Sequence, residues 1–202
     1  MKYNIITISR QCGSGGHAIG QKLAETLNIP LFDKKLLEEV SKRSGFTEEI
    51  IQDKGEHVPA AIWMSLAQSI YNGYMCSLPP TMPLEDQINA YQTEFIREVA
   101  KKGPCVIIGR GADYILRERN DCLNVYLSGS LDARVTEISS RMNIDRKEAE
   151  NYIKKWDKQR AAHYKYVTDR TWGDVRNYTL CLDTTALGME RCTDIILQCV
   201  RG

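Results

Sequence analysis

The residue types in this chain best suited to chemistry are clustered glycines and a few well-placed arginines. Gly13, Ser14, Gly15 and Gly16 fall together in ISRQCGSGGHAIG, from Ile8 to Gly20. Glycines turn where a residue with a Cβ cannot, so several backbone N–H groups can converge at the positive end of a following helix. That arrangement holds phosphate. Farther on, Arg110 stands between Gly109 and Gly111 at the end of the apolar run Cys105-Val106-Ile107-Ile108. An arginine emerging from a buried run is costly unless it meets an anion, and its fork suits phosphate or carboxylate. Asp33 closes Leu31-Phe32-Asp33, and Arg134, Arg141, Asp157 and Arg160 lie in a charged stretch nearer the C-terminus. The chemistry these types suggest is the holding of phosphate groups.

Set against the P-loop pattern G-x-x-x-x-G-K-[ST] on Gly16, the loop has Gln11 for the first glycine, His17 for the lysine and Ala18 for the hydroxyl residue. Arg10, Gly13 to Gly16, His17 and Ala18 are then the candidate phosphate-binding set. A tight strand-to-helix connection would also need glycines, and Gly13-x-Gly15-x-x-Ala18 with Asp33 downstream also fits a dinucleotide fingerprint. The residues from Ser9 to Cys12 make the loop longer than a dinucleotide turn usually is, which favours a mononucleotide and leaves an NAD-type oxidoreductase as a distant alternative. Asp33 suits either a ligand base or ribose, or an N-cap for the segment after it. For Arg110 the alternatives are a substrate phosphate and a salt bridge to Asp113 or Asp33.

These residues need strands and helices to position them. Ile5-Ile6-Thr7-Ile8 reads as a buried parallel strand, and Ile19, Leu23, Ala24 and Leu27 have helical spacing, giving a helix from about Gly16 to Leu27. Further strands are expected within Asn28–Asp33, as a turn and a short strand ending in Asp33, at Pro104–Gly111, at Leu123–Ser128 and at Tyr178–Asp183. From Glu48 to Lys102 the chain reads as helices broken at Gly55, Gly73 and Pro79-Pro80, with core stripes Ile62, Leu66, Ile70 and Ile88, Tyr91, Phe95, Val99. Strands separated by helices imply right-handed crossovers and a parallel sheet, whose carboxyl edge would carry the loop, Asp33 and Arg110. Arg134 and Arg141 share one helix face. Asp157 and Arg160, one turn apart, can pair, while Tyr152, Ile153 and Trp156 form a docking face. Such an arginine-bearing helical pair can close over a nucleotide and exclude water. His163 reads as structural, His57 as an ordinary surface histidine, and Gly188 to Val200 as a packing helix.

Composition sets the limits. The chain has 202 residues, 43% hydrophobic, enough to bury the core of one domain. Lys and Arg number 27 against 26 Asp and Glu, a net charge of +1, so no global field recruits nucleic acid or an anionic membrane. The expected partners are small-molecule nucleotides; the oligomeric state stays open. Seven scattered cysteines without a C-x-x-C pair suggest free thiols in a reducing cytoplasm. Neither a signal-like segment nor an apolar run long enough to span a bilayer is seen, so a soluble cytoplasmic protein is expected. The residues suggest no resident metal site.

In their order and spacing these pieces resemble the cytidylate kinase-like family, relatives of bacterial cytidylate kinase among the P-loop nucleoside monophosphate kinases. The resemblance covers nearly the whole chain. It rests on ISRQCGSGG, LFD, IIGRGADYIL, LNVYLSGSLDAR, WDKQR and CLDTTALGMERCTDII. It implies one domain over 1–202 with a three-layer P-loop NTPase-type α/β fold and a five-stranded parallel sheet. The implied core is about 1–33, 101–131 and 171–202, with a helical monophosphate-binding region at about 34–100 and a lid at about 132–170. It further implies ATP as donor, Mg²⁺, and CMP or dCMP as first choice of acceptor. Asp33, Arg110, Asp157 and Arg160 match the substrate-binding positions; Arg134, Arg141, Arg160 and His17 are the candidates for stabilising charge on the transferred group. The chain departs from cytidylate kinase at Ile108 and Gly111, where that enzyme has acids, as well as at the P-loop lysine and hydroxyl. A nucleotide- or phosphate-binding protein of the same fold, with little or no transfer, is the alternative.

Overall fold

The computed structural model describes residues 2–33, 38–39, 41–43 and 83–202. Five strands, β1 (Ile5–Arg10), β2 (Leu31–Phe32), β3 (Cys105–Ile108), β4 (Cys122–Ser128) and β5 (Leu180–Asp183), form one parallel sheet in the order β2-β3-β1-β4-β5. Ile5 to Ile8 of β1 pair with Cys105 to Ile108 on one side and with Cys122 to Val125 on the other. The chain leaves β1 for one edge of the sheet and β4 for the opposite edge. Such a reversal opens a crevice at the carboxyl ends of the central strands, where open α/β sheets bind ligands.

The central strands β1 and β3 are buried on both faces, which is why their sequences are largely apolar. Ile6 and Ile8 of β1, with Val106 and Ile108 of β3, pack beneath α1 (Gly16–Leu27) and the C-terminal helix. The alternate residues Ile5, Cys105 and Ile107 face α2 (Leu84–Lys102) and the short α3 (Ala112–Ile115). This period of two puts helices on both sides of the sheet, a three-layer α/β architecture. On α2 the expected stripe is present: Ile88, Phe95 and Val99 are buried, and Tyr91 packs against them. Its first turn carries Glu85 and Asp86 and its last turn Lys101 and Lys102, each complementing the local end of the helix dipole.

After β4, α4 (Leu131–Met142) and α5 (Arg146–Thr168) form a helical hairpin. Ser130 caps α4 through the Ala133 N–H, Asn143 ends it in a left-handed turn, and Asp145 caps α5 through the Glu148 N–H. A small core of Cys12, Val135, Ile138, Ala149 and Ile153 joins the hairpin to the glycine loop. The strand expected from Tyr178 is shorter than that: Val175–Asn177 is a 3-10 turn and β5 begins at Leu180. The last helices are α6 (Thr184–Leu187) and α7 (Met189–Arg201). His57, Cys76, the Ile62 to Ile70 stripe and the breaks at Gly55, Gly73 and Pro79-Pro80 lie outside the described residues, as does most of the stretch that the family resemblance assigns to the monophosphate. Among the described residues all six cysteines are free, and no helix is long and apolar enough to cross a membrane.

Candidate functional site

The glycine loop leaves β1 at Arg10 and enters α1 at Gly16. Gly15, with φ 73°, is the left-handed residue that turns the chain into the helix, and Gly13 is left-handed as well. No side chain caps α1 and no acidic residue of its own stands in its first turn. The Ser14 hydroxyl points inward, donating to the Gln11 and Leu127 carbonyl oxygens at 2.9 and 3.2 Å. Ser14 therefore offers a ligand its backbone and not its side chain. Gly15 is the left-handed glycine that directly precedes the helix, so the loop also compares with the P-loop pattern when Gly15, in place of Gly16, is set on its second glycine. Gly16 then occupies the lysine position, His17 the hydroxyl position and Arg10 the first-glycine position.

Above the loop lies a cavity of about 720 Å³ at the carboxyl edge of the sheet. Among the described residues four arginines line it, Arg10, Arg110, Arg141 and Arg160, against two carboxylates, Asp33 and Glu137. Arg110 has φ 59° between Gly109 and Gly111, both also left-handed. Three successive left-handed residues bend the end of β3 sharply, and a non-glycine residue in this region costs about 1–3 kcal/mol. Tyr152 and Trp156 from α5, Trp172, and Met189 at the start of α7 supply apolar walls. The sequence read Tyr152 and Trp156 only as a docking face and Met189 as part of a packing helix. The signal available for Met189 was its place just after Gly188, close behind a strand end that already belonged to the ligand edge.

Arg134 and Asp157 are not among the cavity-lining residues, contrary to their expected catalytic and substrate-binding places. Arg134 is buried and donates to the Gly129 carbonyl at 3.0 Å, to the Cys12 carbonyl at 3.2 Å and to Asp157 at 2.6 Å. The second Asp157 oxygen accepts the Cys12 N–H at 2.7 Å. Asp157 thus pairs with Arg134 and not, as its spacing suggested, with Arg160. Arg160 donates instead to the Arg10 carbonyl at 3.1 Å. Together these contacts tie the hairpin to the loop backbone.

His17 and Asp33 meet at 2.8 Å, Nδ1 to Oδ2, at the other side of the loop. Beneath the cavity, Asp113 is buried and its pKa is raised by desolvation, against the opposing pull of the hydrogen bond that Tyr164 donates at 2.6 Å. Tyr164 is itself pushed up, first by burial and then by Asp113. Trp172 donates to Ser9 at 3.0 Å. His163 also lines the cavity; burial, and secondarily the charge of Arg110, lowers its pKa to about 3, so its imidazole is neutral. Its Nε2 is buried without a hydrogen-bond partner. The sequence read His163 as structural, and nothing in its neighbours Ala161, Ala162 and Tyr164 signals the cavity.

Among the described residues no group of three or more His, Cys, Asp or Glu is placed to hold a metal ion. With Asp33 engaged by His17, the site fits a cation carried in on phosphate oxygens and water better than a resident metal centre. The arrangement as a whole suits a polyanion: four arginines, a helix N-terminus and apolar walls around one crevice.

Comparison with known proteins agrees with this geometry. The sequence model of the cytidylate kinase-like family matches residues 5–186. Among curated proteins none matches this sequence. An uncharacterized protein from Eubacterium ventriosum, solved by crystallography, is 30% identical with a TM-score of 0.74, the match covering 98% of each chain. A shikimate kinase from Bacteroides thetaiotaomicron matches at 15% identity and TM-score 0.56, covering 98% of both chains. A gluconokinase from Sinorhizobium meliloti matches at 14% identity and TM-score 0.51, covering 98% of this chain and 91% of that one. At such identities the two kinases share the fold alone. The family match over most of the length, on a three-layer α/β kinase fold with a five-stranded parallel sheet, means that this chain belongs to the cytidylate kinase-like family.

Proposed function

We propose that this protein transfers the γ-phosphoryl group of ATP to a nucleoside monophosphate, with CMP or dCMP as the first acceptor to test. The observation that carries this reading is the convergence of Arg10, Arg110, Arg141 and Arg160 on one cavity at the N-terminus of α1. Phosphoryl transfer asks little covalent chemistry of a protein and much positioning and charge stabilisation, which such a set supplies. The N–H groups at Gly13 to Gly16 hold the donor phosphates. Arg110 clamps the acceptor phosphate, and Asp33, steadied by His17, orients the acceptor sugar or base. An acceptor phosphate oxygen attacks the γ-phosphorus, the bond from that phosphorus to the β-bridging oxygen breaks, and ADP leaves. A phosphate acceptor is already anionic, so no general base is needed.

Arg141 and Arg160 face the charge that spreads over the transferred group, while Arg134 and Asp157 position the loop from behind. Tyr152 and Trp156 restrict water, limiting wasteful hydrolysis. Mg²⁺ entering with the nucleotide would supply charge neutralisation on the transferred group, with Asp33 and Glu137 the carboxylates among the described cavity-lining residues. In this reading the monophosphate region is about 34–100 and the lid about 132–170. A nucleotide-binding protein with little transfer is the second reading, favoured by the glycine at position 16 where kinases of this pattern carry lysine. The two separate in a transfer assay with [γ-³²P]ATP, Mg²⁺ and a panel of CMP, dCMP, UMP, AMP and GMP. Label in one diphosphate, reduced at least about a hundredfold by Arg110→Ala, supports the kinase. ATP binding without transfer to any acceptor supports the second reading.

A further inference from the structure

Gly16 is the first helical residue of α1, and its φ is not in the left-handed region, so nothing in its backbone conformation requires glycine. What requires it is space. A Cβ built on Gly16 would lie 2.6 Å from Cγ and 2.8 Å from Cβ of Arg10. The Arg10 side chain then crosses to the end of β3, where a Cβ on Gly109 would overlap its Nη1. Arg10 therefore lies in a slot walled by two glycines, one on the donor loop and one next to Arg110. Its guanidinium group is in the cavity wall between them.

We infer that Arg10 performs the phosphate-holding task of the P-loop lysine, and that Gly16 is glycine because the Arg10 chain passes through the space a lysine at position 16 would start from. The inference rests on the donor site of the kinase reading but not on transfer itself. In the pattern the positive charge projects from the first residue of the helix; here it departs from the last residue of β1, its stem passing Gly16 and its guanidinium lying beside Gly109 at the end of β3, on the wall of the same cavity. A planar fork in place of a point charge presents two parallel donors, suited to adjacent oxygens of a polyphosphate. The Arg10 carbonyl, held by Arg160 at 3.1 Å, fixes the backbone from which the side chain departs. On this account the missing lysine has moved by one strand end, and neither His17, paired with Asp33, nor Arg134, bonded behind the loop, replaces it.

The test is a reciprocal rescue, read as binding of inorganic tripolyphosphate by calorimetry at constant ionic strength, with circular dichroism as a check of folding. Arg10→Ala is expected to weaken binding by about tenfold or more. Adding Gly16→Lys to Arg10→Ala is expected to regain at least about threefold, because the slot is then open to a lysine chain. Gly16→Ala supplies a smaller probe: it should weaken binding when Arg10 is present and have no effect when Arg10 is alanine. Wild-type affinity in Arg10→Ala overturns the inference, as does an equal effect of Gly16→Ala in both backgrounds. Failure of the wild type to bind tripolyphosphate overturns it too. Intact rescue with no transfer to any nucleotide leaves the inference standing and removes the kinase reading; full transfer by Arg10→Ala does the reverse.

Discussion

Arg110 keeps a left-handed backbone that glycine would adopt without strain, and it does so at the mouth of the cavity. Replacing it with glycine relieves about 1 kcal/mol of strain and adds a similar entropic cost through the unfolded chain. Arg110→Gly should therefore leave the melting temperature within about 2 °C while transfer falls at least about a hundredfold. Loss of both together would mean that Arg110 is structural. His163 makes a second residue-level prediction. Its native pKa of about 3 lies below the ordinary 6.5, so the unfolded chain takes up a proton that the folded one refuses. Stability from this group is full above about pH 6.5 and falls as the pH drops toward 3, by up to about 1.4 kcal/mol per pH unit. The raised pKa of Asp113 acts in the opposite sense, favouring the folded state in acid. The comparison to make is urea unfolding of wild type and His163→Gln at pH 7 and pH 5: the variant should lose less stability on acidification.

At the level of elements, the hairpin of α4 and α5 is docked on the glycine loop through Arg134, Asp157 and Cys12. Asp157→Ala leaves the buried Arg134 guanidinium without its carboxylate partner, though still bonded to the Gly129 and Cys12 carbonyls, and the Cys12 N–H without its acceptor. It should cost about 2–3 kcal/mol in urea unfolding, and the double variant with Arg134→Ala should cost less than the sum of the two singles. Additive costs would mean that the contact carries no coupling. The sequence made the elements legible because their patterns are strong: β-branched runs for β1 and β3, and helical spacing at Ile19, Leu23 and Leu27. It could not reveal which aspartate meets which arginine. Asp157 and Arg160 are one turn apart, yet the partner that Asp157 takes is Arg134, twenty-three residues away on the facing helix. Spacing along one helix reports which pairs can form, and packing between helices decides which do. The one-residue shift of the loop pattern was hidden for a similar reason, since adjacent glycines look alike until their φ values separate the left-handed one from the helical one.

Across the whole molecule, a net charge of +1 hides a strongly cationic crevice. The sheet order brings the ends of β1, β2 and β3 to one edge, so Arg10, Asp33 and Arg110 converge although they are far apart in sequence. Ligand bound across that edge joins the loop, the end of β3 and the helical hairpin. By mass action, ATP at about a hundred times its dissociation constant should add about 2.7 kcal/mol and raise the melting temperature by about 5–10 °C. The most direct test of the central claim is a crystal structure with a bisubstrate analogue in which five phosphates join adenosine to cytidine. The account predicts the phosphate chain running from the N-terminus of α1 past Arg10 to Arg110, with Arg141 and Arg160 against its middle. Phosphates bound outside this crevice, or a cytidine end that does not reach Arg110, would contradict it.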